Sequence, residues 1–160
     1  WTATMVYLDH PGQTYLRAAG SLGWAFPAAL GAKCAVPDRP VICFTGDGGF
    51  WYHLAEMETA RRFNINTVTI VNNNNGLAQG IPDIEKIYSG RHGSPEELYR
   101  FERVNFSRIA QEMGCQGIRV EDPAEIREAI RQGLAAAQPT IIEQKTAQDY
   151  NAPPPWSPGA

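Results

Sequence analysis

Apolar residues fall into two short unbroken runs and several helical stripes. Val41-Ile42-Cys43-Phe44 is the first run, preceded by the turn residues Pro37-Asp38-Arg39-Pro40 and followed by glycines. Val68 to Val71 is the second, with Thr69 its one polar member. Short runs without alternation, bounded by turn signals, predict strands buried on both faces. Between them Leu54, Met57 and Ala60 recur at helical spacing while Glu56, Arg61 and Arg62 can face water, which predicts a helix from His53 to Phe63. Upstream, small apolar residues from Leu22 to Val36 predict a helix packed closely on a sheet, with Pro27 in its first turn. Downstream, Phe106, Ile109, Ala110 and Met113 mark a helix closed by Gly114. Gly117 to Val120 reads as a short strand. Asp122-Pro123 opens a helix whose Ile126, Ala129, Ile130 and Leu134 share a face, and Pro139 to Glu143 is a last strand.

Strands alternating with helices predict an α/β domain: a parallel sheet with helices on both faces. In such sheets ligands bind beyond the carboxyl ends of the strands. The connection over residues 77–104 is long for a plain loop. Within it Ser94-Pro95-Glu96-Glu97 predicts a helix start, with Ser94 as cap, Pro95 as first helical residue and Glu97 completing a capping box. Gly76 to Val104 reads as a lid, on which Tyr88, Arg91, Tyr99 and Arg103 face a substrate or partner or simply the solvent. Residues 1–20 read as irregular and residues 151–160 as an extended proline-rich tail. All 160 residues read as one domain, 1–160.

Composition narrows the function classes. The chain is 43% hydrophobic and 19% charged, which excludes a disordered chain. A net charge of −3 with no long basic run argues against nucleic-acid binding. Cys34, Cys43 and Cys115 are widely spaced, which argues against a disulfide framework or a zinc site and for a cytoplasmic setting. No apolar stretch is long enough to span a bilayer. The chain opens on Trp1 without an initiator methionine, which we read as a piece of a longer protein.

Chemistry concentrates after the two runs. Asp47 sits among Gly46, Gly48 and Gly49 after the first, and Asn72 to Asn75 end the second. A carboxylate and an amide oxygen are hard ligands that suit magnesium or calcium. Two such ligands leave room for water and for the oxygens of a phosphate-bearing molecule. The glycines let the backbone turn sharply and approach it, and the helix expected from His53 adds an N-terminal end that favours an anion. Gly-Asp-Gly-Gly alone is as often a simple turn. The pair is more specific, because Asn74 follows Asp47 by 27 positions (74 minus 47), with strand, helix and strand between.

GDGGF followed by VNNNNG, together with AGSLGWAFPAALGA from Ala19 to Ala32, resembles the signature of thiamine-diphosphate-dependent enzymes. The likeness runs from about Ala19 to Glu143. It is to the C-terminal, diphosphate-binding domain of the acetolactate synthase and pyruvate decarboxylase branch, and so implies the thiamine-diphosphate-binding fold. It further implies thiamine diphosphate and Mg²⁺ as cofactors. Asp47 and Asn74 would hold the metal through side chains and Gly76 through its carbonyl. The backbone of Gly48, Gly49, Leu77 and Ala78 would line the diphosphate. In the Gly20-Ser21-Leu22 stretch, the Gly20 carbonyl would accept a bond from the cofactor's amino group, and Leu22 would be the wedge that bends the cofactor.

The resemblance implies a decarboxylase or carboligase acting on a 2-keto acid, most like acetolactate synthase. A pyrimidine-binding domain of the same or another chain would supply an activating glutamate, usually across the interface of a homodimer or homotetramer. No segment here resembles that domain, so this chain by itself is expected to be inactive. Glu56 and Glu58 read as solvated or structural. The three histidines are weak signals. His53 reads as a helix-start residue, and His10 and His92 lie in irregular segments. Only His92, in the long connection, has any reach to a substrate, its plainer reading being a surface residue. NNNNGLAQG also resembles the 2-hydroxyacyl-CoA lyase and oxalyl-CoA decarboxylase group. A non-catalytic cofactor-binding or regulatory domain is another reading. A Rossmann or flavodoxin-like nucleotide binder lacks its G-x-G-x-x-G loop here.

Overall fold

The computed structural model describes residues 6–18 and 20–148. Helix α1 (Ala25–Ala35) leads into strand β1 (Ile42–Gly46). Then come α2 (Asp47–Trp51), α3 (Glu56–Arg62) and β2 (Val68–Asn73). A 3₁₀ turn at Ala78–Gly80 runs into α4 (Ile81–Tyr88), and a second lies at Pro95–Leu98. Helix α5 (Phe106–Glu112), β3 (Gln116–Val120), a third 3₁₀ turn at Pro123–Glu125, α6 (Ile126–Ala135) and β4 (Thr140–Lys145) complete the order.

The four strands form one parallel sheet in the order β1-β2-β4-β3. Apolar burial sets its two faces. On one, Phe26, Cys43, Phe50, Met57, Val71 and Phe106 pack together from α1, α2, α3, α5 and the strands. The rings of Phe26 and Phe50 meet edge-on at 5.1 Å, and those of Phe50 and Phe106 at 5.5 Å. Fully burying a ring like Phe50 contributes about 1.5–3 kcal/mol. On the other face α6 covers β2, β4 and β3 through Val68, Ile70, Val120, Ala129 and Ile142. That cover does not reach β1, whose Ile42 and Phe44 remain 49% and 43% exposed.

The alternation of strands and helices, and the parallel sheet, are as expected from the sequence. Three details differ. The helix expected over His53 to Phe63 is helical only over Glu56–Arg62, and a separate short helix begins at Asp47 itself, straight from β1. Residues 52–55 are tightened by three-residue bonds, such as Glu56 N to His53 O and Met57 N to Leu54 O. The anion-favouring end expected at His53 therefore lies elsewhere. Second, Ser94 makes no side-chain cap, and Pro95–Leu98 is one 3₁₀ turn only. The chain is drawn off at once into an antiparallel bridge between Gly76 and Arg100. Helix α4, unforeseen, lies in the same connection. Third, Leu134 is 45% exposed, and Gly133 takes its place against Val68 and Thr140. Ala19 and the 151–160 tail fall outside the described residues.

Candidate functional site

The register pairs Gly46 with Asn72, so the residues that leave β1 and β2 emerge side by side at the carboxyl edge of the sheet. Asp47 is the first residue of α2 and is 2% exposed. Its Oδ1 accepts a bond from Gly48 N at 3.0 Å, and its Oδ2 accepts one from Gly76 N at 2.9 Å. The carboxylate thus ties its own helix to the turn after β2. Burial pushes its pKa above the ordinary range, and the backbone bonds from Gly76 and Gly48 oppose that rise.

The four asparagines are not equivalent. Asn72 belongs to the ladder, paired with Gly46 and Gln144. Asn73 is buried with its amide fully engaged. Its Nδ2 donates to Glu143 Oε1 at 2.8 Å and to the Val104 carbonyl at 3.1 Å, and its Oδ1 accepts from Asn75 N at 3.1 Å. Asn75 takes a left-handed backbone at φ +57°, and its carbonyl accepts from Phe101 N at 2.8 Å and Gln148 Nε2 at 3.1 Å. Asn74 is different. Its Oδ1 is buried and has no hydrogen-bond partner among the described residues. Leaving a buried acceptor unsatisfied costs about 1–3 kcal/mol, so such an atom needs a reason.

Gly76 has no room for a side chain, because a Cβ there would overlap the carbonyl of Tyr99. Leu77 N donates to that carbonyl at 2.8 Å, which fixes the start of the following turn. The Leu77 side chain lies against Gly48, and Leu22 Cδ1 lies 3.5 Å from where a Gly49 Cβ would be. Leu22, Gly49, Gly48 and Leu77 are therefore neighbours, and Leu22 is 55% exposed. Gly20, at φ +70°, and Ser21 precede Leu22 and are exposed, while Ala78 opens the 3₁₀ turn beyond Leu77. A groove of about 650 Å³ adjoins Gly48 and Leu77, lined by Trp51, Phe101 and Val104 among others.

Other expectations fare differently. Tyr99 is a core residue at 5% exposure, and its carbonyl, not its ring, holds the turn. Arg91, His92 and Arg103 are exposed, and Tyr88 is half-buried. Sequence reasoning missed Asn73 and Glu143 as parts of this corner. Glu143 had a readable signal, a lone charge straight after Thr140-Ile141-Ile142 in a buried strand.

One carboxylate and a free amide oxygen fit a hard divalent cation. Among the described residues no three His, Cys, Asp or Glu side chains gather as a metal cluster. The glycine surface beside Leu22 and Leu77 fits close approach of a ligand carrying phosphates.

Residues 1–144 match the model of the thiamine pyrophosphate enzyme, C-terminal TPP binding domain. The chain belongs to that family. It is 35% identical over 117 residues to the acetolactate synthase large subunit of Haemophilus influenzae, covering 73% of this chain and 20% of that one. To the mitochondrial acetolactate synthase catalytic subunit of Aspergillus candidus it is 34% identical over 145 residues, covering 89% and 20%. A solved structure, the thiamine diphosphate-dependent 4-hydroxybenzoylformate decarboxylase of Rhodococcus jostii RHA1, superposes with a TM-score of 0.67 at 31% identity, covering 79% of this chain and 23% of that one. The resemblance read from GDGGF and VNNNNG is thus borne out at the level of the family, and so are the α/β fold and thiamine pyrophosphate (the same cofactor as thiamine diphosphate) as the ligand of this domain type. The chain spans about a fifth of the length of these relatives. No helix of the described residues is long and apolar enough to cross a membrane.

Proposed function

We propose that this domain holds thiamine diphosphate through a Mg²⁺ bound by the Asp47 carboxylate, the Asn74 Oδ1 and the Gly76 carbonyl, as part of an acetolactate synthase-like enzyme acting on 2-keto acids. The observation that carries the reading is the buried, unpartnered Oδ1 of Asn74 in the turn whose Gly76 N–H is bonded to Asp47. When bound, the cofactor supplies an electron sink for the carbanion left as a 2-keto acid loses carbon dioxide.

The chain's own residues bind and orient. Asp47 supplies the negative charge that a divalent ion needs in a buried corner. Gly48, Gly49 and the Leu77–Ala78 backbone receive the diphosphate. Leu22, exposed beside Gly49, is the apolar wedge, and the Gly20 carbonyl is the acceptor for the amino group. Holding reacting groups at contact distance is worth several kcal/mol of barrier. The groove by Trp51 and Phe101 lies beside Gly48 and Leu77 and gives the ligand a largely apolar wall on that side. A pyrimidine-binding domain, from this or another chain in a homodimer or homotetramer, completes the site with its glutamate. The cysteines Cys34, Cys43 and Cys115 are unpaired, which suits a reducing, cytoplasmic setting.

Thermal melting tests the reading. Mg²⁺ with thiamine diphosphate raises Tm, by about 2.7 kcal/mol of added stability at a hundredfold excess over Kd. In Asp47→Ala that shift disappears. A variant that keeps the full shift refutes the assignment.

A further inference from the structure

Glu143 lies outside every residue the cofactor needs directly, yet it is the most deeply buried charge beside the site, at 1% exposure in the middle of β4. Both its oxygens are used. Oε1 accepts from Asn73 Nδ2 at 2.8 Å and from an Arg119 guanidinium nitrogen at 3.2 Å, and Oε2 accepts from Ser107 N at 3.1 Å. A buried carboxylate is costly unless paired in this way. An isosteric neutral residue would save that cost, so the charge calls for a reason beyond packing.

The reason is direction. A carboxylate can only accept, and so can the Val104 carbonyl on the same Asn73 nitrogen. Together they force the Asn73 amide to turn its NH₂ inward and its oxygen toward Asn75 N. That last bond spans the Asn74 position and sets up the left-handed backbone of Asn75. It thereby fixes where Asn74 Oδ1 sits and aims Gly76 N at Asp47 Oδ2. The Asn73 carbonyl is pinned from the far side by Thr146 N at 2.9 Å.

We propose that Glu143 is a positioning residue for the cation turn: through Asn73 it shapes the turn before the metal arrives. The inference rests on the reading of Asp47 and Asn74 as cation ligands.

The test measures the Mg²⁺ Kd at saturating thiamine diphosphate, by tryptophan fluorescence of the whole protein, beside the Tm without Mg²⁺. In Glu143→Gln the introduced amide faces one of its donors with another donor. We expect Mg²⁺ affinity to fall roughly 10–100-fold, the usual loss when a group orienting a metal ligand is removed. Arg119→Met breaks the ion pair with the same carboxylate but leaves the Asn73 bond, and should lower Tm while leaving Mg²⁺ affinity unchanged. Asn73→Ala cuts the tether with Glu143 still paired to Arg119 and Ser107, so it reads the role even if Glu143→Gln does not fold, and should lose Mg²⁺ affinity to a similar degree. Unchanged Mg²⁺ affinity in Asn73→Ala, or an equal loss in Arg119→Met, overturns the positioning role. A wild-type protein that ignores Mg²⁺ sinks the functional reading and this one with it, whereas wild-type binding with indifferent variants sinks this one alone.

Discussion

Cys43 lies on the buried face of β1 beside Thr69, and burial pushes its thiol up to about 12 from an ordinary 9.0. Cys115 is also buried and raised, whereas Cys34 is exposed. At pH 8 a thiol reagent should label Cys34 at once and the other two only on unfolding, and peptide mapping that finds Cys43 labelled in the folded protein would contradict this. Linkage gives the sign of the pH effect. Below about pH 9 both states keep the Cys43 proton and the thiol is neutral to stability. Above it the unfolded chain releases the proton and the folded one holds it, so stability falls by about 1.4 kcal/mol per pH unit until about 12. The same scale shows what one-dimensional reading resolves. The spacing from Asp47 singled out Asn74, whose Oδ1 is buried without a hydrogen-bond partner among the described residues, whereas the Asn73 side chain is engaged by Glu143, Val104 and Asn75. Asn73 was invisible as a separate actor, since its partner Glu143 is 70 residues away in sequence.

Caps and turns decide the elements. Asn105 caps α5: its Oδ1 accepts from Arg108 N at 2.9 Å and from Ser107 Oγ at 2.6 Å. Asn105→Ala should cost about 1 kcal/mol in denaturant unfolding. Ser94→Ala should stay within about 0.5 kcal/mol, because Ser94 makes no cap bond despite the capping-box spelling around it. A cost for Ser94→Ala matching that of Asn105→Ala would refute the distinction. Local spelling failed here because tertiary pairing of Gly76 with Arg100 claims the backbone after one turn. Helix α4 escaped notice for the opposite reason. It buries no residue, so its apolar stripe meets no core that a sequence reader could anticipate. The strands were legible because buried parallel strands are apolar throughout, but their ends were not. The ladder carries β1 on to Gly46 and β2 on to Asn73, since backbone pairing is indifferent to side-chain polarity.

At the scale of the whole molecule, the site is drawn from the end of β1, the end of β2 and the approach to α1, joined by sheet order rather than by sequence. The bond from Gly76 N to Asp47 Oδ2 crosses between two of these segments and lasts only while the sheet edge is intact. It also governs how the protein ages. Asn75 precedes a glycine, the setting in which the next backbone nitrogen most readily attacks the amide carbon, closes a cyclic imide and expels ammonia. In the fold that nitrogen is buried and already spoken for by a carboxylate. Loss of the Asn75 amide on prolonged warm storage should therefore track the unfolded fraction and quicken in Asp47→Ala, as mass spectrometry of the Asn75 peptide can follow. Rapid conversion in the intact wild type would show that the corner gives no such shelter.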